Sequence, residues 1–216
     1  NMLDFGVDLG LINNRIKIGF DYFRRNVFDK ISDLGISVQT GFSSYTTNLA
    51  QLQNRGIELS LDAQVLVPEK TRGISLTIGG TLSTAKTYVV KLPFNGLPGN
   101  RTGTFQVWDP NNPGQLMQVS GLIEGQRSGL DEVWVLKWDG IYTSPSAITA
   151  DANVYNAYLP YGNKRIKQMG DAQWHQVYKN DTIDSRQFIK VGRTTPQVVG
   201  SFFLNAGFKG LHLYAG

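Results

Sequence analysis

The sequence predicts an all-β protein made of antiparallel, up-and-down strands. The clearest evidence lies between Ile57 and Val65, where apolar residues occupy the odd positions and polar residues from Glu58 to Gln64 occupy the even ones. Successive side chains of a strand point to opposite faces, so this pattern predicts a strand with one apolar and one polar face. Short turns and long connections also alternate along the chain, and the 24 glycines fit strands and loops.

The same alternation predicts six strands joined as three hairpins. The short turns between paired strands are Asn13-Asn14, Pro68–Gly73 and Lys209-Gly210, which are rich in residues that tolerate turn conformations. Residues 26–51 are predicted to form a loop with at most short extended pieces. The predicted strands cover about residues 2–12, 15–25, 56–67, 74–90, 198–208 and 211–216.

A second, much longer connection covers about residues 92–196. It holds seven of the eight prolines and all four tryptophans. A loop of this length without structure is uncommon, so we expect folded content of its own. Glu132–Trp138 is expected to be extended, and Ser146–Tyr158 is a candidate short helix with Ser146 as its candidate cap.

The alternation of short turns and long loops between the strands indicates how the sheet is arranged. In an up-and-down sheet, all the short turns lie at one end and all the long loops at the other, which is the layout of outer-membrane barrels. The apolar face would then contact lipid and the polar face the lumen. Alternation alone favours a soluble β-sandwich, because soluble domains are commoner, whereas strand length and loop asymmetry favour the barrel. Six strands are too few to close a membrane barrel, since the smallest use about eight.

Five stretches of the sequence, in their order and spacing, resemble the barrel region of SusC/RagA-like TonB-dependent outer-membrane transporters of Bacteroidetes. Together the stretches extend over most of the chain. They are Asp21-Tyr22-Phe23 with Thr40-Gly41; Asn48–Ala50 running into Asn54–Leu59; Ile123–Gln126 leading to Trp138–Tyr142; Gly170-Asp171 through Ile183-Asp184 to Val191–Pro196; and Gly200–Phe202 with Lys209–Leu211.

The resemblance implies a large, 22-stranded transmembrane barrel with long extracellular loops, of which residues 1–216 are one part. It also implies energised import of a glycan or peptide, a SusD-like surface lipoprotein as a lid, and TonB contact through a region outside this chain. The chain begins at Asn1 rather than Met and ends within an alternating segment, which agrees with a piece of a longer protein. The implied location is the cell outer membrane, in contact with its lipid.

Relatives often carry an acidic, calcium-binding type of loop after Gly170-Asp171, and this chain departs from that pattern. Calcium requires several oxygen ligands, mostly carboxylates, at close spacing. Asp171 and Asp184 are the only acidic residues of the pattern that this chain retains. Where the pattern has Asp, Asn, Asp, Gly and Asp, this chain has Gln176, Tyr178, Asn180, Asp181 and Gln187. We therefore expect no metal site and no cofactor.

The residue types that carry catalysis are sparse. The chain has no cysteine, and its two histidines, His175 and His212, are far apart in sequence. The acidic pairs Asp131-Glu132 and Asp181/Asp184 are typical of solvated loop charges. Lys and Arg are scattered, so nucleic-acid binding is not expected. These features predict that the protein is not an enzyme.

The four tryptophans, Trp108, Trp134, Trp138 and Trp174, are the candidate contact residues. They either anchor the core of a folded loop or contact a partner protein or sugar rings, since Trp is enriched in interface hot spots. Two other classes of function remain open at this point. One is a soluble β-rich carbohydrate-binding or adhesion domain, and the other is a glycan-active enzyme on a β-scaffold.

Overall fold

A computed structural model describes residues 1–69, 71, 73–151, 155–156, 167–179 and 182–216. The chain divides into two compact units. Unit 1 comprises residues 1–101, 123–128 and 196–216, and unit 2 comprises residues 102–122 and 129–195.

The described residues form sixteen strands and one α-helix. In chain order they are β1 (Met2–Leu11), β2 (Ile16–Gly35), β3 (Ser44–Leu66), β4 (Ile74–Lys91), β5 (Arg101–Thr102), β6 (Phe105–Trp108), β7 (Leu116–Val119), β8 (Leu122–Ile123), β9 (Glu132–Val135), β10 (Trp138–Ile141), α1 (Pro145–Ala150), β11 (Tyr155–Asn156), β12 (Ala172–Trp174), β13 (Thr182–Ile183), β14 (Ile189–Arg193), β15 (Val199–Phe208) and β16 (Leu211–Ala215). The class predicted from the alternation, mostly antiparallel β-structure, is therefore confirmed.

Unit 1 contains one six-stranded antiparallel sheet with the order β1-β2-β3-β4-β15-β16. Its register places the three short turns at the same end. Ile16 pairs with Ala63, Ile74 pairs with Phe208, and Phe208 pairs with Leu211. The turns that follow β1, β3 and β15 thus share one end of the sheet, and the long connections leave from the other end.

The prediction of a loop over residues 26–51 is wrong. β2 continues to Gly35 and β3 begins at Ser44, so that the two strands form one long hairpin. The tip is a 3-10 turn at Val38–Thr40, which ends at Gly41 with φ 84°. The register shifts between Val27 and Lys30 and again between Lys30 and Ser32. Asp29, which lies in the first of these irregularities, has φ 51°. Such bulges displace the alternation, which is why a period-two pattern could not be followed through this region.

The predicted helix is shorter than expected and is capped by a different residue. α1 begins after Ser144, whose Oγ accepts a hydrogen bond of 3.2 Å from the backbone N–H of Ala147. Pro145 takes the first helical position, where its missing N–H is harmless. The remainder of the predicted helix to Tyr158 lies largely outside the described residues, except for β11, which is extended. No helix in the described part of the chain is long and apolar enough to cross a membrane.

One face of the sheet is apolar across all six strands. Cross-strand partners share a face, so the register groups the side chains into rows. One row runs Leu9, Ile18, Leu61, Gly80 and Phe202, and those on either side are similarly apolar. Leu61 is 44% exposed and Phe202 is 64% exposed, so the described residues leave this face of unit 1 uncovered.

The opposite face is polar and contains glycines that aromatic rings cover. A Cβ at Gly56 would lie 2.3 Å from the ring of Phe23, and a Cβ at Gly79 would lie 2.4 Å from the ring of Phe203. Both glycines are buried, although the face around them carries polar side chains such as Ser60. Glycine is therefore required where a ring on a neighbouring strand lies flat on the sheet.

Candidate partner and substrate surface

Unit 2 is assembled from short two-stranded ladders rather than one sheet. β6 pairs with β7, β9 pairs with β14, and β10 pairs with β12, each in antiparallel orientation. The buried apolar residues Val107 and Val119 lie on the first of these ladders. An isolated two-stranded ladder is only marginally stable, so side-chain packing and hydrogen bonds between the ladders must stabilise unit 2.

Trp108 and Trp134 belong to the packing of unit 2. Trp134 meets the ring of Phe105 edge-on at 6.1 Å, and its Nε1 donates a hydrogen bond of 3.1 Å to Glu132. Trp108 lies 4.7 Å from the ring of Tyr178. The guanidinium of Arg186 is placed over Trp108 at 5.4 Å. The contacts agree with the interpretation that these two tryptophans anchor a folded loop.

Gln187 holds the chain around Tyr178. It is fully buried, and its Nε2 donates to the backbone carbonyls of Tyr178 at 2.7 Å and Thr182 at 3.2 Å. Its Oε1 accepts from the backbone N–H of Tyr178 at 3.2 Å. A buried amide with these bonds fixes a segment that has no strand partner of its own. In the calcium-type pattern of the sequence analysis, position 187 is a lost acidic ligand, whereas in the structure Gln187 has a packing role.

Trp138 and Trp174 form a second aromatic pair on a different ladder. They are direct register partners on β10 and β12, so their side chains lie on one face. Trp138 is 59% exposed and Trp174 is half-buried. Large aromatic side chains exposed in this way are common in binding surfaces. The structure therefore divides the four tryptophans into a packed pair, Trp108 and Trp134, and a second pair in which only Trp138 is exposed; this second pair is called the exposed pair after Trp138.

Polar side chains flank the exposed pair. The Nδ1 of His175 lies 2.7 Å from Asp139 Oδ2, and the Nζ of Lys137 lies 3.3 Å from Asp139 Oδ1. Burial opposes ionisation of Asp139, but its hydrogen bonds from His175 and Lys137 outweigh that effect and lower the pKa of this carboxyl. His175 thus joins a polar cluster with Asp139 and Lys137, and within the described residues this cluster contains no nucleophile that the imidazole would activate.

The Trp138–Tyr142 and Gly170-Asp171 stretches are bonded to each other. The backbone N–H of Tyr142 donates to the carbonyl of Asp171 at 3.0 Å, and that of Gly170 donates to the carbonyl of Tyr142 at 2.9 Å. Tyr142 is buried, and its hydroxyl donates a hydrogen bond of 3.0 Å to Asp151. Burial, reinforced by this bond, raises the pKa of Tyr142 to about 12. The exposed tryptophans are therefore placed by an extensively bonded framework.

A charge cluster ties β9 to β14. Arg193 bonds to the carboxylates of Asp131 and Glu132, the latter at 2.8 Å, and Lys190 reaches Glu132 at 2.5 Å. Burial opposes the ionisation of Glu132, but the bonds from Lys190 and Trp134 outweigh it, and the pKa of Glu132 is lowered. The Asp131-Glu132 pair is thus part of an ion network that includes a largely buried arginine, not a pair of solvated charges.

The two acids kept from the calcium-type pattern have protein partners. Asp184 accepts bidentate bonds from Arg186, with one contact of 2.6 Å, and Asp171 Oδ2 accepts from the backbone N–H of Gln168 at 2.9 Å. Asn180 and Asp181 lie outside the described residues. Within those that are described, no group of three or more His, Asp or Glu side chains could hold a metal ion.

Part of the long connection belongs to unit 1, which the sequence did not indicate. The carbonyl of Val89 accepts from Gly125, and its N–H donates to Gln126, at 2.9 and 2.8 Å. Glu124 Oε2 accepts from the N–H of Leu92 at 3.0 Å and from Asn100 Nδ2 at 2.8 Å. The Ile123–Gln126 stretch therefore pairs with β4 beyond the part that β15 occupies.

Comparison with known proteins places these features in a family context. No model of a protein family matches the chain. TonB-dependent receptor P3 of Formosa agariphila is 23% identical over 140 residues, which are 65% of this chain and 13% of the receptor. TonB-dependent receptor P39 of the same organism is 26% identical over 156 residues, 72% of this chain and 14% of the receptor. TonB-dependent receptor SusC of Bacteroides thetaiotaomicron is 36% identical over 63 residues, 29% of this chain and 6% of SusC.

Solved structures give the same result for the fold. A chain of the RagAB peptide importer in the "open-open" state superposes with a TM-score of 0.58 and 20% identity over 99% of this chain and 19% of its own length. A chain in another structure of the RagAB peptide transporter gives a TM-score of 0.55 at 19% identity, over 99% of this chain and 20% of its own. The resemblance to SusC/RagA-like TonB-dependent receptors is thereby confirmed, and this chain spans about a fifth or less of each relative.

Proposed function

We propose that this chain is one part of the β-barrel of an outer-membrane, TonB-dependent transporter that imports a nutrient. The observation that carries the proposal is the apolar face of the six-stranded sheet in unit 1, which continues from β1 to β16. In water such a face needs a cover, and in a membrane lipid supplies it. The similarity to TonB-dependent receptors P3 and P39 supports the TonB-dependent class.

The dimensions of the apolar face support this proposal. On β3 the apolar positions run from Ile57 to Val65, and a membrane-spanning strand needs about 9–11 residues. β3 itself has 23 residues, so it extends well beyond this length toward the hairpin tip at Val38–Thr40. Short turns at one end and long connections at the other are the arrangement of periplasmic turns and extracellular loops.

The proposal extends to the whole assembly. The complete barrel would have 22 strands, and the connection of about residues 92–196 would be extracellular. A SusD-like surface lipoprotein would cover it, TonB would act through a region outside this chain, and the cargo would be a glycan or a peptide. The protein performs no catalysis in this scheme, and it is located in the cell outer membrane.

The exposed tryptophan pair is the proposed contact with the lipoprotein, the cargo, or both. Trp138 offers an exposed, flat apolar surface, and its sequence neighbours Lys137 and Asp139 form a polar cluster with His175. A flat ring can stack on a sugar ring or fill a pocket of a protein partner. Trp108 and Trp134 were grouped with them on sequence grounds, and their ring contacts within unit 2 make them the members expected to act through folding.

The test uses the full-length transporter that contains this chain. Trp138→Ala should weaken lipoprotein co-purification or cargo uptake by more than about 30-fold, the equivalent of a hot-spot loss above about 2 kcal/mol. Trp138→Phe keeps an aromatic face and should restore part of the loss. Met169→Ala is the matched control, since Met169 is 63% exposed and apolar but not part of the aromatic pair.

Two results would contradict this assignment. If Trp138→Ala and Trp174→Ala assemble in the outer membrane and leave both lipoprotein association and uptake unchanged, the exposed pair has no contact role. If Met169→Ala reduces both as strongly as Trp138→Ala, the effect reflects general surface hydrophobicity. The transporter proposal itself would survive either result, because it depends on the apolar face.

A further inference from the structure

A row of cations lies at one edge of the apolar face. Along that face from the short-turn end, the first charged side chain is Arg24 on β2, Arg55 on β3 and Lys86 on β4. Arg24 pairs with Arg55, and Arg55 pairs with Lys86, so the three residues form one row across adjacent strands. Neighbouring strands lie about 4.8 Å apart, and this cation row therefore spans about 10 Å.

No acidic side chain among the described residues neutralises the cation row. All three side chains are exposed, and none of the three forms an ion pair with an acidic side chain in the part of the chain that the structure describes. Three like charges this close repel one another unless an anion lies between them. The row is therefore a place where an external anion would be stabilised.

Arg55, the central member, is already held in place. Its guanidinium lies 4.6 Å from the centre of the Tyr88 ring, and its Nε donates to the side chain of Gln53. Gln53 is buried and donates a hydrogen bond of 2.6 Å to Asn26. Arginine has five N–H donors, so the bond to Gln53 leaves the terminal nitrogens for a further acceptor. A pre-positioned guanidinium binds an oxyanion at a lower entropic cost.

The polar face of the same sheet offers a contrast. There Lys17 pairs with Asp62, and Asp21 pairs with Glu58, so that charges of both signs are mixed. Arg25, next to Arg24 in sequence, points to this face and pairs with Asn54. The cation row carries a single sign of charge, and the apolar part of its face begins directly on its short-turn side, at Tyr22 and Ile57. Its position fits a ligand with both an anionic group and hydrocarbon chains.

We propose that the cation row binds the phosphate groups of outer-leaflet lipids whose acyl chains cover the apolar face. This proposal rests on the proposed function, which puts the long-connection end of the sheet at the extracellular side. The guanidinium fork of Arg24 or Arg55 matches phosphate oxygens in a bidentate manner, and Lys86 adds a point charge. Bound lipid would screen the repulsion within the row and order the lipid next to β2, β3 and β4.

The experiment compares two charge-matched double variants of the full-length transporter. Arg24→Gln/Lys86→Gln removes one arginine and one lysine from the cation row, while Lys17→Gln/Arg25→Gln removes the same charges from the polar face. Detergent-solubilised, delipidated protein is titrated with short-chain phosphatidic acid, with phosphatidylcholine of the same chain length, and with inorganic phosphate. Native mass spectrometry counts the lipids bound.

Each cation near an anionic lipid surface contributes enough binding free energy for about a five-fold change in affinity. The row variant should therefore bind phosphatidic acid about 25-fold more weakly, and the polar-face variant should bind it as the parent protein does. Phosphatidylcholine and inorganic phosphate should bind more weakly than phosphatidic acid to the parent protein. Added salt should weaken the phosphatidic acid complex.

Three results would overturn the proposal. The row variant could retain phosphatidic acid as well as the parent, the two variants could lose it equally, or inorganic phosphate could bind as tightly as the lipid. A cysteine probe at Leu61 separates these results from failure of the proposed function. If that probe contacts lipid chains while the row variant binds normally, only the cation row is refuted; if the probe is in water, the transporter assignment fails.

Discussion

Leu61→Arg tests the orientation of the sheet most severely. Leu61 is in the middle of the apolar positions of β3, and it shares a row with Ile18 and Phe202. It is six residues from Arg55, or about 20 Å along the strand, which is too far for a snorkelling side chain to reach the charged edge. An arginine at such a depth costs roughly 2–4 kcal/mol, equivalent to a loss of about 30- to 1000-fold in the folding equilibrium constant.

The assay is outer-membrane assembly of the full-length transporter, measured as the heat-modifiable folded fraction and as the urea midpoint after reconstitution. Ser60→Arg is the matched control, because Ser60 is adjacent in sequence, exposed and on the polar face. It should reduce the unfolding free energy much less than Leu61→Arg. Equal losses for the two variants would show that the assignment of the faces is wrong.

Two further predictions concern packing and pH. Gly56→Ala should destabilise the sheet by about 1–3 kcal/mol in urea unfolding, because its Cβ would lie 2.6 Å from the carbonyl oxygen of Thr84. Gly35→Ala is the control and should be close to neutral, because the nearest atom to its Cβ would be 3.9 Å away. Comparable losses for the two variants would contradict the packing of the polar face. The pKa of Glu132 is lowered in the folded state by its bonds from Lys190 and Trp134, so the stabilisation from these bonds is present above the unfolded pKa of about 4.3 and is lost as pH falls through the folded pKa. Limited proteolysis of unit 2 should therefore accelerate in acid, and Glu132→Gln should reduce that acceleration; an unchanged acid profile in the variant would refute the role of this carboxylate.

The sequence predicted the strands best where alternation was uninterrupted. From Ile57 to Val65 the period of two identifies both the strand and its apolar face. The same rule failed between Asn26 and Gln51, because the irregular register near Asp29 moves side chains to the other face and polar residues occupy both faces there. A bulge is one residue in length, and a single sequence gives little signal for it.

The candidate site was predictable as a group and not residue by residue. Four tryptophans in one segment indicated a binding surface or a core, and the structure contains both arrangements. Trp108 is distinguished from Trp138 by partners such as Tyr178 and Arg186, which are about seventy to eighty residues away in sequence and joined by no periodic pattern. The cation row was hidden for the same reason, since only the strand register brings Arg24, Arg55 and Lys86 together.

The central claim is that the apolar face of the sheet contacts lipid, and a cysteine scan from Ile57 to Val65 tests it directly. The chain has no cysteine of its own, so each introduced thiol is the only one within residues 1–216; it is labelled with an environment-sensitive fluorophore in the reconstituted full-length transporter, and the unmutated transporter is the labelling control. Quenching by nitroxides attached to lipid chains should be strong at odd positions and weak at even positions. Uniform quenching, or quenching only by a water-soluble agent along the whole segment, would contradict the account.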